Sequence, residues 1–364
     1  MASTVYFASA KVKRLVAEDT LPAKFQRMLE KLDLKAMFDG KRTAVKMHVG
    51  GHIGYSTIHP LFVRLLISEL KKAGAQPFVT DGSFSVPDAK ARGYTEEVLG
   101  APVYPAAGVH DKYFVSRDIG FRSLEKVDIV GNVADADAMV VLSHGKGHGH
   151  CGFGGAIKNI AMGCVTVDTR GRIHALMDTE FSWDSEACRH CYICQENCPG
   201  HAISFTDEGE FRVFLHHCRY CMHCVTSCPE HAIEIREEGV RYFQEGMART
   251  TKAVLDTFEP NRVLYVTVLT DITPLCDCWG FTTPSLVPDI GILASGDIVA
   301  IEQAALDMID AKNYIEGSLP EQVVMKEEDG HLFWKIWGKD PYLQVETAAE
   351  IGLGSREYQI VEIE

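Results

Sequence analysis

Twelve cysteines punctuate this 364-residue chain, and eight of them fall into two runs of one pattern. The first reads Cys188-Arg-His-Cys191-Tyr-Ile-Cys194-Gln-Glu-Asn-Cys198-Pro199, and the second reads Cys218-Arg-Tyr-Cys221-Met-His-Cys224-Val-Thr-Ser-Cys228-Pro229. Both are C-x2-C-x2-C-x3-C-P, the spacing with which thiolates hold 4Fe–4S clusters. Three thiolates two residues apart lie along a tight loop and can grip three corners of one cubane. The fourth, followed by proline, lies too far round to close that set and ligates the neighbouring cluster where two occur. The expected ligand sets are therefore crossed. Cys188, Cys191, Cys194 and Cys228 would hold one cluster, and Cys218, Cys221, Cys224 and Cys198 the other. A zinc ribbon would leave the third cysteine of each run without a role.

The residues after each run also match, His201-Ala-Ile-Ser-Phe205 against His231-Ala-Ile-Glu-Ile235. This internal repeat resembles a duplicated bacterial-type ferredoxin module, expected over residues 184–237. Around it the composition is that of a globular chain, 46% hydrophobic and 24% charged. No apolar run approaches the roughly eighteen residues of a membrane helix. The formal charge of −14 argues against a nucleic-acid partner, whose phosphates demand a basic face. A disulfide framework for the eight cysteines would need an oxidising compartment. Met1-Ala-Ser-Thr-Val-Tyr6 has neither the basic start nor the apolar core of an export signal. A reducing, cytoplasmic location is expected, with oxygen-sensitive clusters suited to anaerobic conditions.

The flanking sequence alternates strands and helices. Thr43-Ala-Val-Lys-Met-His-Val49 suits a buried strand and ends in the glycine-rich loop Gly50-Gly51-His52-Ile-Gly54. Pro60 to Leu70 reads as a helix, with proline in the first turn, where its missing N–H costs nothing. Gly74 stops it, and Gln76-Pro-Phe-Val-Thr-Asp81 returns as a strand, which implies a parallel βαβ unit. Val127–Val130 and Ala138–Leu142 read as further strands. After the insert, residues 241–258 are helix-like, Arg262–Leu269 is a β-branched run suited to a central strand, and Asp289–Leu293 reads as another. Asp297 is placed to cap a helix from Ile298 to about Ile309. The expected fold is an α/β host domain with a mainly parallel sheet, formed by residues 1–183 and 238–364 and interrupted by a small α+β ferredoxin-like insert. A C-terminal extension of the host, from about 315, carries the aromatic cluster Leu332-Phe-Trp-Lys-Ile-Trp337.

Two loops of the host carry residues with chemistry of their own. The stretch from Ser143 to Cys164 holds His144, Lys146, His148, His150, Cys151, Lys158 and Asn159, with five glycines between Gly145 and Gly154. It follows a strand, and ligands of open α/β sheets bind beyond the carboxyl ends of strands. It matches neither the Walker A pattern nor the dinucleotide fingerprint. His144, His148, His150 and Cys151 could take a transition metal, or be histidines that bond backbone carbonyls in a glycine-rich turn. Lys146 and Lys158 could hold an anionic substrate or lie on the surface, and the helix starting near Gly155 could meet an anion with its N–H groups. Cys276-Asp-Cys278 follows another strand and so belongs on the same rim. It could share one metal, serve a redox step or be inert. His48 ends its own strand there, as a core histidine or as part of the rim.

These strings resemble the family named domain of unknown function 362. The resemblance is carried by Ser143-His-Gly-Lys-Gly-His148, Gly152-Phe-Gly-Gly-Ala-Ile-Lys-Asn159 with Met162-Gly-Cys164, and Asp271-Ile-Thr-Pro274 with Cys276-Asp-Cys278. Val45-Lys-Met-His48, Asp289-Ile-Gly-Ile-Leu-Ala-Ser295 and Gly352-Leu-Gly-Ser-Arg-Glu-Tyr358 extend it over nearly the whole chain. The resemblance implies a fold and an inserted cluster module, and no established reaction. This chain departs from the pattern at Gly145 and at His148-Gly-His150, where relatives carry a bulky residue and fewer histidines.

Three functions are consistent with these residues. In the first, an iron–sulfur oxidoreductase relays single electrons to a host site whose catalytic candidates are His144, His148, Lys158, Asn159, Cys276 and Cys278. The second is an electron carrier without its own substrate, and the third a metal- or cofactor-handling accessory protein. The partner would be a redox protein or a small-molecule substrate. Protein purified without oxygen is expected to contain about eight iron and eight acid-labile sulfide per chain. Cys198→Ser should disturb the cluster of the second run and Cys228→Ser that of the first, read by electron paramagnetic resonance. About four iron, zinc without sulfide, or serines that each disturb only their own run would each contradict the assignment.

Overall fold

The computed structural model describes residues 2–51, 53–177, 181–198, 200–214, 217–218, 223–235, 238–319, 323 and 325–364. Cys221, His52 and both Pro199 and Glu237 thus lie outside the described residues. Eight strands make the main sheet: β1 (Ser3–Ser9), β2 (Arg42–Met47), β3 (Gln76–Asp81), β4 (Val103–Pro105), β5 (Ala138–His144), β6 (Val263–Leu269), β7 (Gly291–Ser295) and β8 (Tyr358–Glu362). Their spatial order is β8-β1-β7-β6-β5-β2-β3-β4. Pairing is parallel throughout except at β7, which runs antiparallel to both β6 and β1. The chain therefore has a mixed α/β fold with a large, mostly parallel central sheet.

Alternation along the strands divides the core in two. Val140 and Leu142 of β5 face a layer with Phe25 and Met28 of α1 (Leu21–Lys31) and Val63 and Leu66 of α2 (Pro60–Lys72). Met139 and Val141 face the other way, toward α3 (Ala156–Gly163), α4 (Glu238–Leu255) and α5 (Ile298–Met308). A parallel sheet covered on both faces needs strands apolar on both sides, and β5 reads so in sequence. The strand expected at Val127–Val130 exists within Leu124–Val130, but it pairs with Phe114–Phe121 in a hairpin outside the main sheet.

Among the described residues, the strands of the 181–235 stretch pair only with one another. Phe181–Trp183 lies antiparallel to Ile233–Ile235, and Ile203–Phe205 antiparallel to Phe211–Val213, with short helices at Ile193–Glu196 and His223–Ser227. The two halves repeat each other in detail. His201 and His231 both take positive φ, 48° and 52°, and the next amides, of Ala202 and Ala232, donate to the sulfurs of Cys198 and Cys228 at 3.2 and 3.3 Å.

Asp297 ties the far end of the sheet together. One carboxylate oxygen accepts the N–H groups of Val299 and Ala300 at the start of α5, at 2.9 and 3.0 Å. The other accepts from the Ser3 hydroxyl at 2.7 Å and the Ser355 amide at 3.0 Å, which joins β1 and the C-terminal segment to the helix. Asp297→Ala removes the cap and strands partners on three elements. It is expected to lower stability by about 3 kcal/mol in anaerobic chemical denaturation, and Asp297→Asn by about 1 kcal/mol.

Candidate functional site

The carboxyl ends of β2, β3 and β5 and the loop after β6 converge on a cavity of about 80 Å³. Two buried carboxylates organise its wall. Asp81, last residue of β3, accepts from Lys46 Nζ at 2.9 Å and faces His48 Nδ1 at 2.8 Å, both from the β2 end. Asp277 accepts from Lys146 Nζ at 2.8 Å and faces His144 Nδ1 at 2.8 Å, both from the β5 end. Burial alone would raise these carboxyls, but the cations beside them hold Asp81 and Asp277 well below the usual carboxylate range.

Between the two pairs runs α3, whose position is set by two close approaches. A Cβ on Gly163 would collide with Lys46 Nζ, and one on Gly155 with Glu302. The Glu302 carboxylate occupies the start of the helix, accepting Ala156 N–H at 2.7 Å and Ile157 N–H at 3.4 Å. The anion expected at this terminus is thus the protein's own, and the first turn has no vacancy for a ligand. Burial pushes Glu302 up to about 7, against the two amides that lower it.

The candidate residues differ in how far their polar groups are already engaged within the protein. His144 is buried with both ring nitrogens engaged, the second facing Thr270 O at 2.7 Å, so it positions Asp277 and has no nitrogen left for a metal. Lys146 is buried rather than at the surface, and also donates to Ser56 O and Oγ at 2.9 Å. Asn159 holds Lys46 at 2.8 Å and donates to Leu142 O and Ser143 Oγ. Lys158, Cys276 and Cys278 face the cavity together. Cys276 and Cys278 form a disulfide, and Lys158 Nζ donates to their sulfurs at 3.1 and 3.2 Å. Burial pushes the Lys158 ammonium down to about 8.

His148 stands behind this pair. One of its ring nitrogens and the two sulfurs lie within 4.8 Å of one another, so the reduced thiolates and the imidazole form a set that a thiophilic metal could use. Its neighbour His150 turns the other way and bonds the carbonyl of Cys218 in the second cysteine run. The His148 and His150 rings are 5.4 Å apart, and His150 lies 6.2 Å from Trp279, next in sequence to Cys278. Cys151 is a thiol pushed up to about 12 by burial, and Cys164 the same.

Cys188, Cys191 and Cys194 of the first run and Cys228 of the second line one small cavity. Burial raises Cys194, and the charges of Cys228, Cys188 and Cys191 raise it further. An amide N–H, of Ile193, holds Cys191 down. Cys218 and Cys224 of the second run are buried, and Cys198 of the first is half-buried.

The family described as domain of unknown function (DUF362) matches residues 43–307, from the head of β2 to the end of α5. The chain belongs to the DUF362 family. The match spans every strand end and loop that builds the cavity. Among solved structures, the lactate racemase apoprotein from Thermoanaerobacterium thermosaccharolyticum is 12% identical with a TM-score of 0.37, over 74% of this chain and 51% of that one. The DUF362 chain thus spans about half the length of that protein. No curated protein matches it.

The sequence reading of this DUF362 protein missed Lys46, Asp81, Asp277, Arg170 and Glu302. A lysine inside the apolar run Val45-Lys46-Met47 was a usable signal, because a buried cation demands a carboxylate partner nearby. Glu302, on the apolar face of α5, was the same signal with opposite charge. Its pKa, raised from 4.5 to about 7, means that the folded state binds the proton more tightly. Stability should therefore fall as pH rises from about 4.5 to 7, by up to about 3 kcal/mol. Glu302→Gln should remove this slope, so that anaerobic denaturation midpoints of variant and wild type move in the variant's favour between pH 5 and pH 8. Parallel midpoints would refute it.

Proposed function

We propose that this DUF362 protein is an iron–sulfur oxidoreductase in which electrons pass from two 4Fe–4S clusters to the host cavity. The crossed sets Cys188, Cys191, Cys194 with Cys228, and Cys218, Cys221, Cys224 with Cys198, would hold the clusters, which supply single electrons when bound. The residues present fit that group. Four thiols from both runs line one cavity, and the amides of Ala202 and Ala232 donate to the sulfurs of Cys198 and Cys228, the kind of hydrogen bond that tunes a ligated sulfur. Residues 181–235 serve in this reading as the ferredoxin-like unit, and the compartment is reducing.

One contact carries the step from cluster protein to oxidoreductase. His150 joins the backbone of Cys218 to the loop whose neighbouring residue, His148, stands beside Cys276 and Cys278. A carrier has no need of a cavity wired in this way to its cysteine runs. Within the cavity, the Asp81 and Asp277 pairs fix the wall, while Lys158 offers a proton donor at the sulfurs. The metal-handling reading keeps one observation in its favour, the set of His148, Cys276 and Cys278.

Lys158→Ala is expected to leave iron content and the reduced-cluster spectrum unchanged. It should abolish the protein's contribution to its host, scored by whether the variant restores a deletion strain. Full restoration would favour the carrier.

A further inference from the structure

Cys276 and Cys278 are the pair that the cluster reading leaves unused. They form a disulfide in a chain whose other cysteines call for a reducing compartment. In such compartments a disulfide is transient and catalytic or redox-sensing, because the thiol pool reduces the merely structural ones. Its position supports the first alternative. Both sulfurs lie at the cavity wall, Lys158 Nζ touches both, and the ring of His148 stands between them and His150, which reaches Cys218.

The cavity's charge says what it would take. Each wall carboxylate is already matched, Asp81 by Lys46 and His48, and Asp277 by Lys146 and His144. Lys158 and Arg170 have no carboxylate among the described residues, and Arg170 Nε is buried at the wall without a partner. Two cations left over at a lined cavity favour an anion there.

We propose that Cys276 and Cys278 are the redox-active pair of this cavity and reduce a small anionic acceptor bound beside Lys158 and Arg170. This rests on the electron-relay reading and names its terminal site. In the loading half, the S–S bond takes two electrons, delivered singly by a low-potential one-electron donor through the cysteine-rich unit, with two protons, and opens to two thiols. Lys158 stabilises the first thiolate and can pass it a proton. In the return half, the dithiol gives two electrons and two protons to the acceptor, and the S–S bond re-forms. Converting single electrons to a pair in this way needs no further co-reactant.

The test uses the intact cluster-bearing chain without oxygen. Protein as purified and protein reduced with methyl viologen radical are alkylated, and the peptide carrying Cys276 and Cys278 is weighed. No label before reduction and two labels after are expected. Stoichiometric titration should show uptake of about four electrons by wild type and about two by Cys276→Ser/Cys278→Ser, with iron content and cluster spectrum alike in both. Reduced wild type should also favour iodoacetate over iodoacetamide at this peptide, a preference that Arg170→Gln removes. Thiols labelled before reduction, equal electron uptake by both proteins, or a metal bound to both sulfurs would overturn the redox pair while leaving the clusters standing. Equal reaction with the two reagents in wild type would overturn the anionic acceptor. Absence of iron and sulfide would instead remove the electron-relay reading, and this proposal with it.

Discussion

Buried charge is the constraint on which this cavity depends. Two lysines are fully enclosed, Lys46 and Lys146, and a lone ammonium in such surroundings is costly by several kcal/mol. Each survives because a single carboxylate, Asp81 or Asp277, meets it together with a histidine from the same strand end. β2 and β5 are neighbours in parallel register, so their ends bring the two pairs side by side. The loops are then held by charge rather than by apolar packing. A polar wall of this kind can be both rigid and open to a polar ligand.

The same logic explains the glycines. Gly155 and Gly163 admit the protein's own Glu302 and Lys46 at the two ends of α3, where a side chain would collide with them. The helix is pinned at both ends by groups that elsewhere would be ligands, and only Lys158, projecting from its first turn, remains for cavity chemistry.

Much of the scaffold was legible in the sequence because it rests on local signals. The strands Gln76–Asp81 and Val263–Leu269, the helix opened by Pro60 and the Asp297 cap follow from periodicity and capping chemistry. The antiparallel sense of β7 was not legible, because strand direction depends on which neighbour accepts it and the hydrophobic pattern is the same either way. β8 was missed for a related reason. Its residues are largely exposed, and only the register against β1, from the opposite end of the chain, makes them a strand. At the site, the histidines and cysteines drew attention by type. The carboxylates that organise them did not, since Lys46 finds Asp81 35 residues away and Lys146 finds Asp277 131 residues away.

The place of the cysteine-rich unit in the chain has a consequence for how the molecule comes to exist. β5 ends at His144, and its parallel partner β6 begins only at Val263. During translation, both cysteine runs leave the ribosome before the strand that covers the β5 edge has been made. Phe181–Trp183 and Ile233–Ile235 pair with each other, so the strands that frame the cysteine runs need no partner strand from the main sheet. If the eight cysteines hold clusters as proposed, all eight thiols would be available for loading while the central sheet is still half built. His150, already synthesised, has to wait for Cys218 to arrive before the two parts can dock.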